Sequence, residues 1–347
     1  MPARMKALVL EEYNKLVYKD VPVPEIAANE VLIKVMACGI CGSDVHGLDG
    51  STGRRIPPLI MGHEASGIIA DMGRNVSGWK TGDRVTFDST VYPLDDWYTE
   101  RGMYNLSDNR EVIGVSPGNY RRHGAFAEFV AVPSHILYRI PDNVSFERAA
   151  MVEAAAVALH AVNISGAHGG DVYLVMGAGT IGLFIIKLLK ISGDSYIAAA
   201  DLDEKSLDMA MKAGADSAFR PGDRKLEEAV RSVTGGRGAD VSFEAVGLTE
   251  TADLSIGLVR KGGTVVLVGN LSPKIEFPLQ KVVTGELKIL GSCAIRGEYE
   301  QILDRLASGK LTVDDQVAAV APLRDGAEWF SRLYNKKTPP GKVILIP

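Results

Sequence analysis

Val172-Tyr173-Leu174-Val175-Met176-Gly177-Ala178-Gly179-Thr180-Ile181-Gly182 is the stretch of sequence that decides the fold. Its first five residues form an apolar run typical of a buried strand, and the next six carry the spacing Gly-x-Gly-x-x-Gly. A helical pattern follows at residues 183–189, and a second strand is predicted at residues 196–200. Further strand-like runs alternate with helical segments up to residue 268. This alternation predicts an α/β fold with a doubly wound parallel sheet of the Rossmann type.

The glycine motif predicts a dinucleotide site. Gly177 permits a tight turn, Gly179 lets the backbone approach a pyrophosphate, and Gly182 lets helix and strand pack closely. Asp201 follows the second strand, where an acidic residue accepts hydrogen bonds from a ribose and repels a 2′-phosphate. We therefore expect NAD rather than NADP. The other residues predicted to line the cofactor are Thr180, Ile181, Leu202, Val246, Val268, Gly269, Asn270, Cys293 and Ala294.

The remaining sequence is read from its composition and its turn residues. The chain has 347 residues with 38 Lys and Arg against 43 Asp and Glu, a net charge of −5 without a long basic run. This balance argues against a nucleic-acid partner. Short strands are predicted at residues 31–36, 65–70 and 84–87, separated by Pro and Gly, which indicates a β-rich barrel in residues 1–150. Ser145 is a capping signal for a helix to about residue 162.

The sequence predicts a cytoplasmic protein without a membrane segment. No stretch approaches the roughly 18 apolar residues that a membrane span needs. The N-terminus shows no apolar region followed by a cleavage site. The three cysteines, Cys38, Cys41 and Cys293, are too few for a disulfide framework and fit a reducing compartment.

Four side chains have the chemistry of a zinc site. Cys41, His63, Glu64 and Glu153 offer a thiolate, an imidazole and two carboxylates, and a catalytic zinc keeps one position open. Spacing alone leaves the interpretation open. A His-Glu pair is often a solvated turn, and a lone Cys is often a small core residue.

Two longer motifs resemble the zinc-containing medium-chain dehydrogenase family. They are Cys38-Gly39-Ile40-Cys41-Gly42-Ser43-Asp44-Val45-His46 and Gly62-His63-Glu64-Ala65-Ser66-Gly67. Val152-Glu153 and Leu159-His160-Ala161 are similar to the sorbitol (L-iditol) dehydrogenase branch of polyol dehydrogenases. The resemblance implies a GroES-like catalytic domain of residues 1–155 and 294–347. It also implies a Rossmann NAD-binding domain of residues 156–293.

The resemblance also implies roles for individual residues. Cys41 and His63 would bind one catalytic zinc per chain, and Glu64 would be a direct ligand or one that exchanges with water. Glu153 would be a ligand or the holder of a zinc-bound water. Ser43 and His46 match the family's proton-relay positions, with the relay passing through the cofactor ribose. Cys38 matches no ligand position.

The sequence departs from the family in the lobe that usually carries a second, structural zinc. None of the four positions that the family fills with cysteine is a cysteine here, which argues against a structural zinc. Those positions are Pro93, Asp96, Thr99 and Ser107. We expect packing to hold the lobe, and the aromatic residues available for it are Tyr92, Trp97, Tyr98 and Tyr104.

The substrate-pocket positions also depart from those of sorbitol dehydrogenases. Gly47 stands where they have an aromatic residue, and residues 293–296 replace their Phe-Arg-Tyr run. Arg54 and Arg55, and residues 120–123, either form solvated loops or face the cleft. In the second case a multiply hydroxylated, cyclic or phosphorylated substrate becomes plausible.

These observations predict an NAD-linked, zinc-assisted oxidation of a secondary alcohol on a polyol, sugar or cyclitol. Members of the family that the chain resembles form dimers or tetramers, often by pairing the edge strands of their Rossmann sheets. The resemblance therefore implies a homotetramer, or else a homodimer, with residues 281–290 as the candidate edge. Two alternatives stay open: a zinc-free quinone reductase of the same superfamily, and a non-catalytic nucleotide-binding protein on this fold. Zinc content and NAD reduction on a polyol panel would separate them.

Overall fold

The computed structural model describes residues 2–116 and 120–347, and its chain divides into two compact units. Met1–Glu153 and Ile295–Pro347 form the first unit, and Ala154–Ala294 form the second. In the described part of the chain, no helix is both long and apolar enough to cross a membrane.

The first unit is rich in short strands. Its strands are β1 (Arg4–Glu12), β2 (Lys15–Pro22), β3 (Glu30–Gly39), β4 (Leu59–Ile60), β5 (Glu64–Met72), β6 (Arg84–Phe87), β7 (Thr90–Val91), β8 (Glu111–Val112), β9 (Phe129–Pro133), β10 (Leu137–Arg139), β17 (Val317–Pro322) and β18 (Lys342–Ile346). Its helices are α1 (Gly42–Gly47), α2 (Phe146–Ala150), α9 (Tyr299–Ala307) and α10 (Gly326–Tyr334). The helix α3 (Val152–Ser165) begins in this unit and continues into the second.

The second unit alternates strands and helices. Its strands are β11 (Val172–Met176), β12 (Tyr196–Ala200), β13 (Ser217–Phe219), β14 (Ala239–Glu244), β15 (Val259–Leu267) and β16 (Lys288–Gly291). Its helices are α4 (Thr180–Ser192), α5 (Glu204–Ala213), α6 (Arg224–Val233), α7 (Thr249–Leu258) and α8 (Leu279–Gly285).

The strands of the second unit form one parallel sheet in the order β13-β12-β11-β14-β15-β16. In sequence order this is 3-2-1-4-5-6, the order of a Rossmann domain. Helices on both faces bury β11 completely, which explains its unbroken apolar run. The predicted doubly wound sheet is confirmed.

The first unit is built around β3. In its seven-stranded sheet, β3 pairs with β5, β9 and β18, so three distant parts of the chain meet on one strand. A second sheet, β2-β1-β4, shares the same apolar core, in which Phe126 and Phe330 meet edge to face at 5.6 Å. The predicted β-rich fold is confirmed, and β3 carries the chain to the edge of the candidate site.

The predicted alanine-rich helix is interrupted. Ser145 caps it as expected, because its Oγ accepts a hydrogen bond from the backbone N–H of Arg148 at 3.3 Å. Helix α2 ends at Ala150, and the N–H of Met151 closes a tight turn onto the carbonyl of Arg148 at 3.1 Å. A new helix starts at Val152, so Glu153 lies in a first turn. The prediction of one continuous helix was wrong at this point.

A carboxylate connects three of the four positions that carry cysteine in the family. Asp96 accepts a hydrogen bond from the backbone N–H of Thr99 at 2.7 Å and another from the hydroxyl of Ser107. These bonds lower the pKa of Asp96 below its ordinary value. Hydrogen bonding therefore supplements the packing that the sequence predicted.

Aromatic packing joins this lobe to the rest of the unit. Tyr92 stacks on Tyr104 with ring centroids 4.3 Å apart. The Tyr104 hydroxyl donates to Asp88 at 2.8 Å and accepts from the backbone N–H of Gly297 at 2.8 Å. Tyr104 thus connects the lobe to Asp88, directly after strand β6, and to Gly297.

Replacing Asp96 with alanine should loosen this lobe. Because the folded pKa is lowered, the stabilisation by Asp96 is present above the unfolded value near 3.8 and is lost as pH falls through the folded pKa. We expect faster cleavage of the segment 91–107 by trypsin at neutral pH, and no response of the wild-type lobe to a chelator. The exposed Asp95→Ala is the matched control. Unchanged cleavage in the Asp96 variant would contradict the role.

Candidate metal and cofactor site

Three of the predicted metal-binding residues lie together. Cys41, His63 and Glu64 place one ligand atom each within 4.8 Å of one another. Cys41 precedes the short helix α1, and Glu64 opens strand β5. The backbone pairs Gly39 with Glu64, and a Cβ at Gly39 would lie 2.4 Å from Glu64 Oε2. The missing side chain at Gly39 therefore makes room for the carboxylate.

The cluster carries more acidic groups than cations. Nζ of Lys342 lies 2.6 Å from Glu64 Oε1, and both side chains are buried. Burial raises the pKa of the Cys41 thiol to about 11, and the nearby Glu64 carboxylate acts in the same direction. A cation at this position would favour the thiolate, because metal binding displaces the proton of a ligand.

A buried carboxylate lies beside His63. Nδ1 of His63 is 3.5 Å from Oδ2 of Asp44, at ion-pair distance but without a hydrogen bond. His63 Nδ1, Asp44 Oδ2 and Glu64 Oε2 are buried atoms without a hydrogen-bond partner in the described structure. A carboxylate behind a ligating histidine is typical of zinc sites. The donor set of thiol, imidazole and carboxylate therefore fits zinc.

Glu153 lies outside this three-residue cluster. Its Oε1 accepts a hydrogen bond from the hydroxyl of Ser89 at 3.2 Å. Burial raises the pKa of Glu153 to about 8; the nearby His63 opposes this shift, and the charges of Glu64 and Cys41 add to it. The charges of the cluster therefore influence the Glu153 carboxylate, but its hydrogen bond is to Ser89.

The two predicted relay residues lie on α1. The Ser43 hydroxyl donates to Cys41 Sγ at 3.2 Å. His46 follows three residues later, in the last turn, and is exposed. Residues three apart on a helix are neighbours on its surface. Ser43 and His46 therefore lead from the cluster towards solvent.

The predicted cofactor residues of the second unit meet at the carboxyl ends of its strands. A Cβ at Gly182 would lie 1.8 Å from the carbonyl oxygen of Gly177, so the helix can approach the strand only without a side chain there. At Gly179, which caps α4, a Cβ would meet no protein atom within 4 Å. This open space at a helix N-terminus fits a phosphate group, with Thr180 and Ile181 in the first turn.

Asp201 lies next to the same glycine loop. Its carboxylate accepts hydrogen bonds from the backbone N–H groups of Ala178 at 2.8 Å and Asp203 at 3.0 Å. Leu202 beside it is exposed.

The loops after β14 and β15 approach the same strand end. A Cβ at Gly177 would lie 2.6 Å from Val246, and one at Gly269 would lie 2.3 Å from the backbone of Val246. Val268 bonds through its N–H to the carbonyl of Glu244 at 2.8 Å, and Asn270 continues this loop. Cys293 and Ala294 follow β16, where Ser292 bonds to Leu267 at 2.9 Å.

Sequence reasoning missed the charged partners of the metal-ligand residues. Asp44 stood in a quoted motif without a role, and no role was predicted for Lys342. The interpretation of residues 54–55 as a solvated loop holds for Arg54, which is exposed, but is wrong for Arg55, which is buried against Asp44. The sequence signal for these contacts was the presence of a cation and a carboxylate that could pair when buried, as Arg55 does with Asp44 and Lys342 with Glu64. In residues 120–123, Arg122 forms ion pairs with Glu30 and Glu111.

Comparisons with known proteins agree with this architecture. Residues 27–142 match the alcohol dehydrogenase GroES-like domain, and residues 180–308 match the zinc-binding dehydrogenase family. The chain is 32% identical to the D-xylulose reductase of Saccharomyces cerevisiae, over 96% of each chain. It is 31% identical to the sorbitol dehydrogenase of Bacillus subtilis, over 100% of this chain and 98% of that one.

A solved structure of similar type covers the whole chain. It is a protein of the zinc-binding dehydrogenase type from Sinorhizobium meliloti, solved with NADP bound. It has a TM-score of 0.90 and 30% identity, over 100% of both chains. The present chain therefore belongs to the zinc-type medium-chain dehydrogenases. Within them it falls in the polyol dehydrogenase branch.

Proposed function

We propose that this protein oxidises a secondary hydroxyl group of a polyol, sugar or cyclitol to a ketone, with transfer of hydride to NAD. The observation that carries the proposal is the cluster of Cys41, His63 and Glu64 with the Ser43 hydroxyl beside it. The named relatives support the substrate class, because they are a xylulose reductase and a sorbitol dehydrogenase.

Cys41, His63 and Glu64 would hold one zinc ion per chain. Zinc supplies a Lewis acid that favours ionisation of the alcohol. Ser43 would accept the alcohol proton as its own hydroxyl proton leaves, and the exposed imidazole of His46 would pass a proton to water. Lys342 keeps Oε1 of Glu64 engaged and leaves Oε2 for the site.

The test is NAD reduction by the zinc-loaded protein on a panel of polyols, sugars, cyclitols and their phosphates. We expect turnover with at least one member and none after zinc removal, with recovery when zinc is returned. Reduction of quinones with NADPH, independent of zinc, would favour a quinone reductase. No turnover on any member would contradict the proposal.

Glu153→Gln should keep zinc bound while activity falls by about 10–100-fold. The hydrogen bond from Ser89 and the place of Glu153 outside the three-residue cluster favour contact with the metal through water. Ala154 follows where the polyol branch usually has Pro, which leaves the helix start less restrained. Gln keeps an oxygen that can accept the Ser89 bond. Complete loss of zinc on gel filtration would show direct ligation instead.

The protein should form a homotetramer, or else a homodimer, in the cytoplasm. Strand β16 is the edge of the parallel sheet, and the adjoining helix α8 exposes 64% of Leu279 and 69% of Val283. Val282, Leu287 and Ile289 pack against the buried residues Ile256, Val259 and Val265. An apolar sheet edge of this kind supports pairing between copies. Sedimentation showing a stable monomer at micromolar concentration would contradict both states, and Val283→Asp should weaken the assembly.

A further inference from the structure

Arg55 is a buried cation beside the proposed relay residue. Its side chain is 3% exposed, whereas that of the preceding Arg54 faces solvent. Nε and Nη2 of Arg55 lie 3.0 and 2.7 Å from Oδ1 of Asp44, which is fully buried. Because each charge compensates the other, the pair can lie inside the unit. Asp44 also lies 3.5 Å from His63, so it links Arg55 to the metal-ligand cluster.

A second contact of Arg55 sets the direction of the Ser43 hydroxyl. Nη2 of Arg55 lies 3.0 Å from Ser43 Oγ. A guanidinium has only donors, so Ser43 must accept in this contact. The single proton of Ser43 then points to Cys41 Sγ, 3.2 Å away. Ser43 keeps one lone pair free, on which it can accept a hydrogen bond from the alcohol hydroxyl.

The stem of Arg55 occupies the space above Gly47. A Cβ at Gly47 would lie 2.4 Å from Cγ of Arg55 and 3.3 Å from its Cβ, and its next contact is Thr52 Oγ1 at 3.4 Å. A larger residue at position 47 therefore requires Arg55 to move. The buried position of Arg55 therefore depends on a glycine at position 47.

We propose that Arg55 is a positioning residue that orients the Ser43 hydroxyl, an inference that rests on the function proposed above. Asp44 pairs with the guanidinium, and the guanidinium donates a hydrogen bond to Ser43. Ser43 would then accept a hydrogen bond from the alcohol substrate. The absence of a side chain at Gly47 leaves the space that the Arg55 side chain occupies.

A double-mutant cycle tests this action through Ser43. Arg55→Gln should lower kcat by about 10–100-fold in the wild-type background. In the Ser43→Ala background the same change should cost less than about twofold, because the group that Arg55 orients is gone. Equal losses in both backgrounds would overturn the proposal.

Two further variants keep the test valid if Arg55→Gln folds poorly. A single atom, Nη2, makes the contacts of Arg55 to both Ser43 and Asp44, and the ammonium of Arg55→Lys has donors for both, so kcat should recover at least partly relative to Arg55→Gln. Zinc-loaded Arg55→Lys with kcat no higher than that of Arg55→Gln would overturn the proposal. Gly47→Ala should displace Arg55 and lower kcat in the same way. Arg54→Gln, at the exposed neighbour, is the control and should leave kcat and zinc affinity unchanged.

A spectroscopic readout separates this inference from the proposed function. In the cobalt(II)-substituted protein, the near-ultraviolet thiolate-to-cobalt absorption reports the hydrogen bond to Cys41, because that bond stabilises the sulfur electrons. Arg55→Gln and Ser43→Ala should shift the band to lower energy, and the double variant should shift it no further. A shift without turnover on any alcohol would refute the function alone. An unshifted band in Arg55→Gln would refute the role of Arg55.

Discussion

Replacing Cys41 with alanine should remove the bound zinc and lower kcat/KM by at least about 1,000-fold. A Lewis acid at the reacting oxygen contributes several kcal/mol, and each 1.36 kcal/mol is about tenfold in rate. Affinity for NAD should change by less than about twofold, because the residues predicted to bind the cofactor belong to the other compact unit. Zinc content by elemental analysis, initial rates and NAD titration measure the three effects.

Cys38→Ala is the matched control for this experiment. Cys38 is buried on β3, three residues before Cys41, and lies outside the metal-ligand cluster. Its loss should lower stability but leave about one zinc per chain. Wild-type turnover by Cys41→Ala would contradict the metal site. A second zinc held by the segment 91–107 would contradict the interpretation of the lobe.

The unmodified protein should prefer NAD over NADP by at least about 100-fold in kcat/KM. The Asp201 carboxylate lies against the glycine loop, bonded to the N–H groups of Ala178 and Asp203. An anion at this position accepts from a ribose hydroxyl and repels a 2′-phosphate. The Sinorhizobium meliloti relative was solved with NADP, so cofactor choice needs measurement within this fold.

Asp201→Asn should reduce this preference to less than about tenfold, because the repulsion disappears while an acceptor oxygen stays. Asp203→Asn is the control. Asp203 is exposed and caps α5 through the N–H of Ser206 at 3.0 Å, a role that Asn fills equally well. Equal use of the two cofactors by the wild-type protein would contradict the prediction.

Regular structure was predictable where it depends on local pattern. The strands predicted at residues 172–176 and 196–200 have these bounds in the structure, because buried parallel strands are unbroken apolar runs. The break at Met151 was not predictable, since the alanine-rich sequence favours helix on both sides of it. The carboxylate of Asp96 was recognised only as a missing cysteine, and its bonds to Thr99 and Ser107 require the folded lobe.

The sequence alone determined the fold class, the family and the kinds of donor at the candidate site. Those properties follow from residue types at short, regular spacings, which act through neighbouring backbone and periodic burial. The tertiary structure alone decided which charges meet. Glu64 pairs with Lys342 from the last strand, and Arg55 turns inward to Asp44 while Arg54 faces water. The stability of a buried charge depends on the partner that folding brings to it, and residues distant in sequence supply that partner.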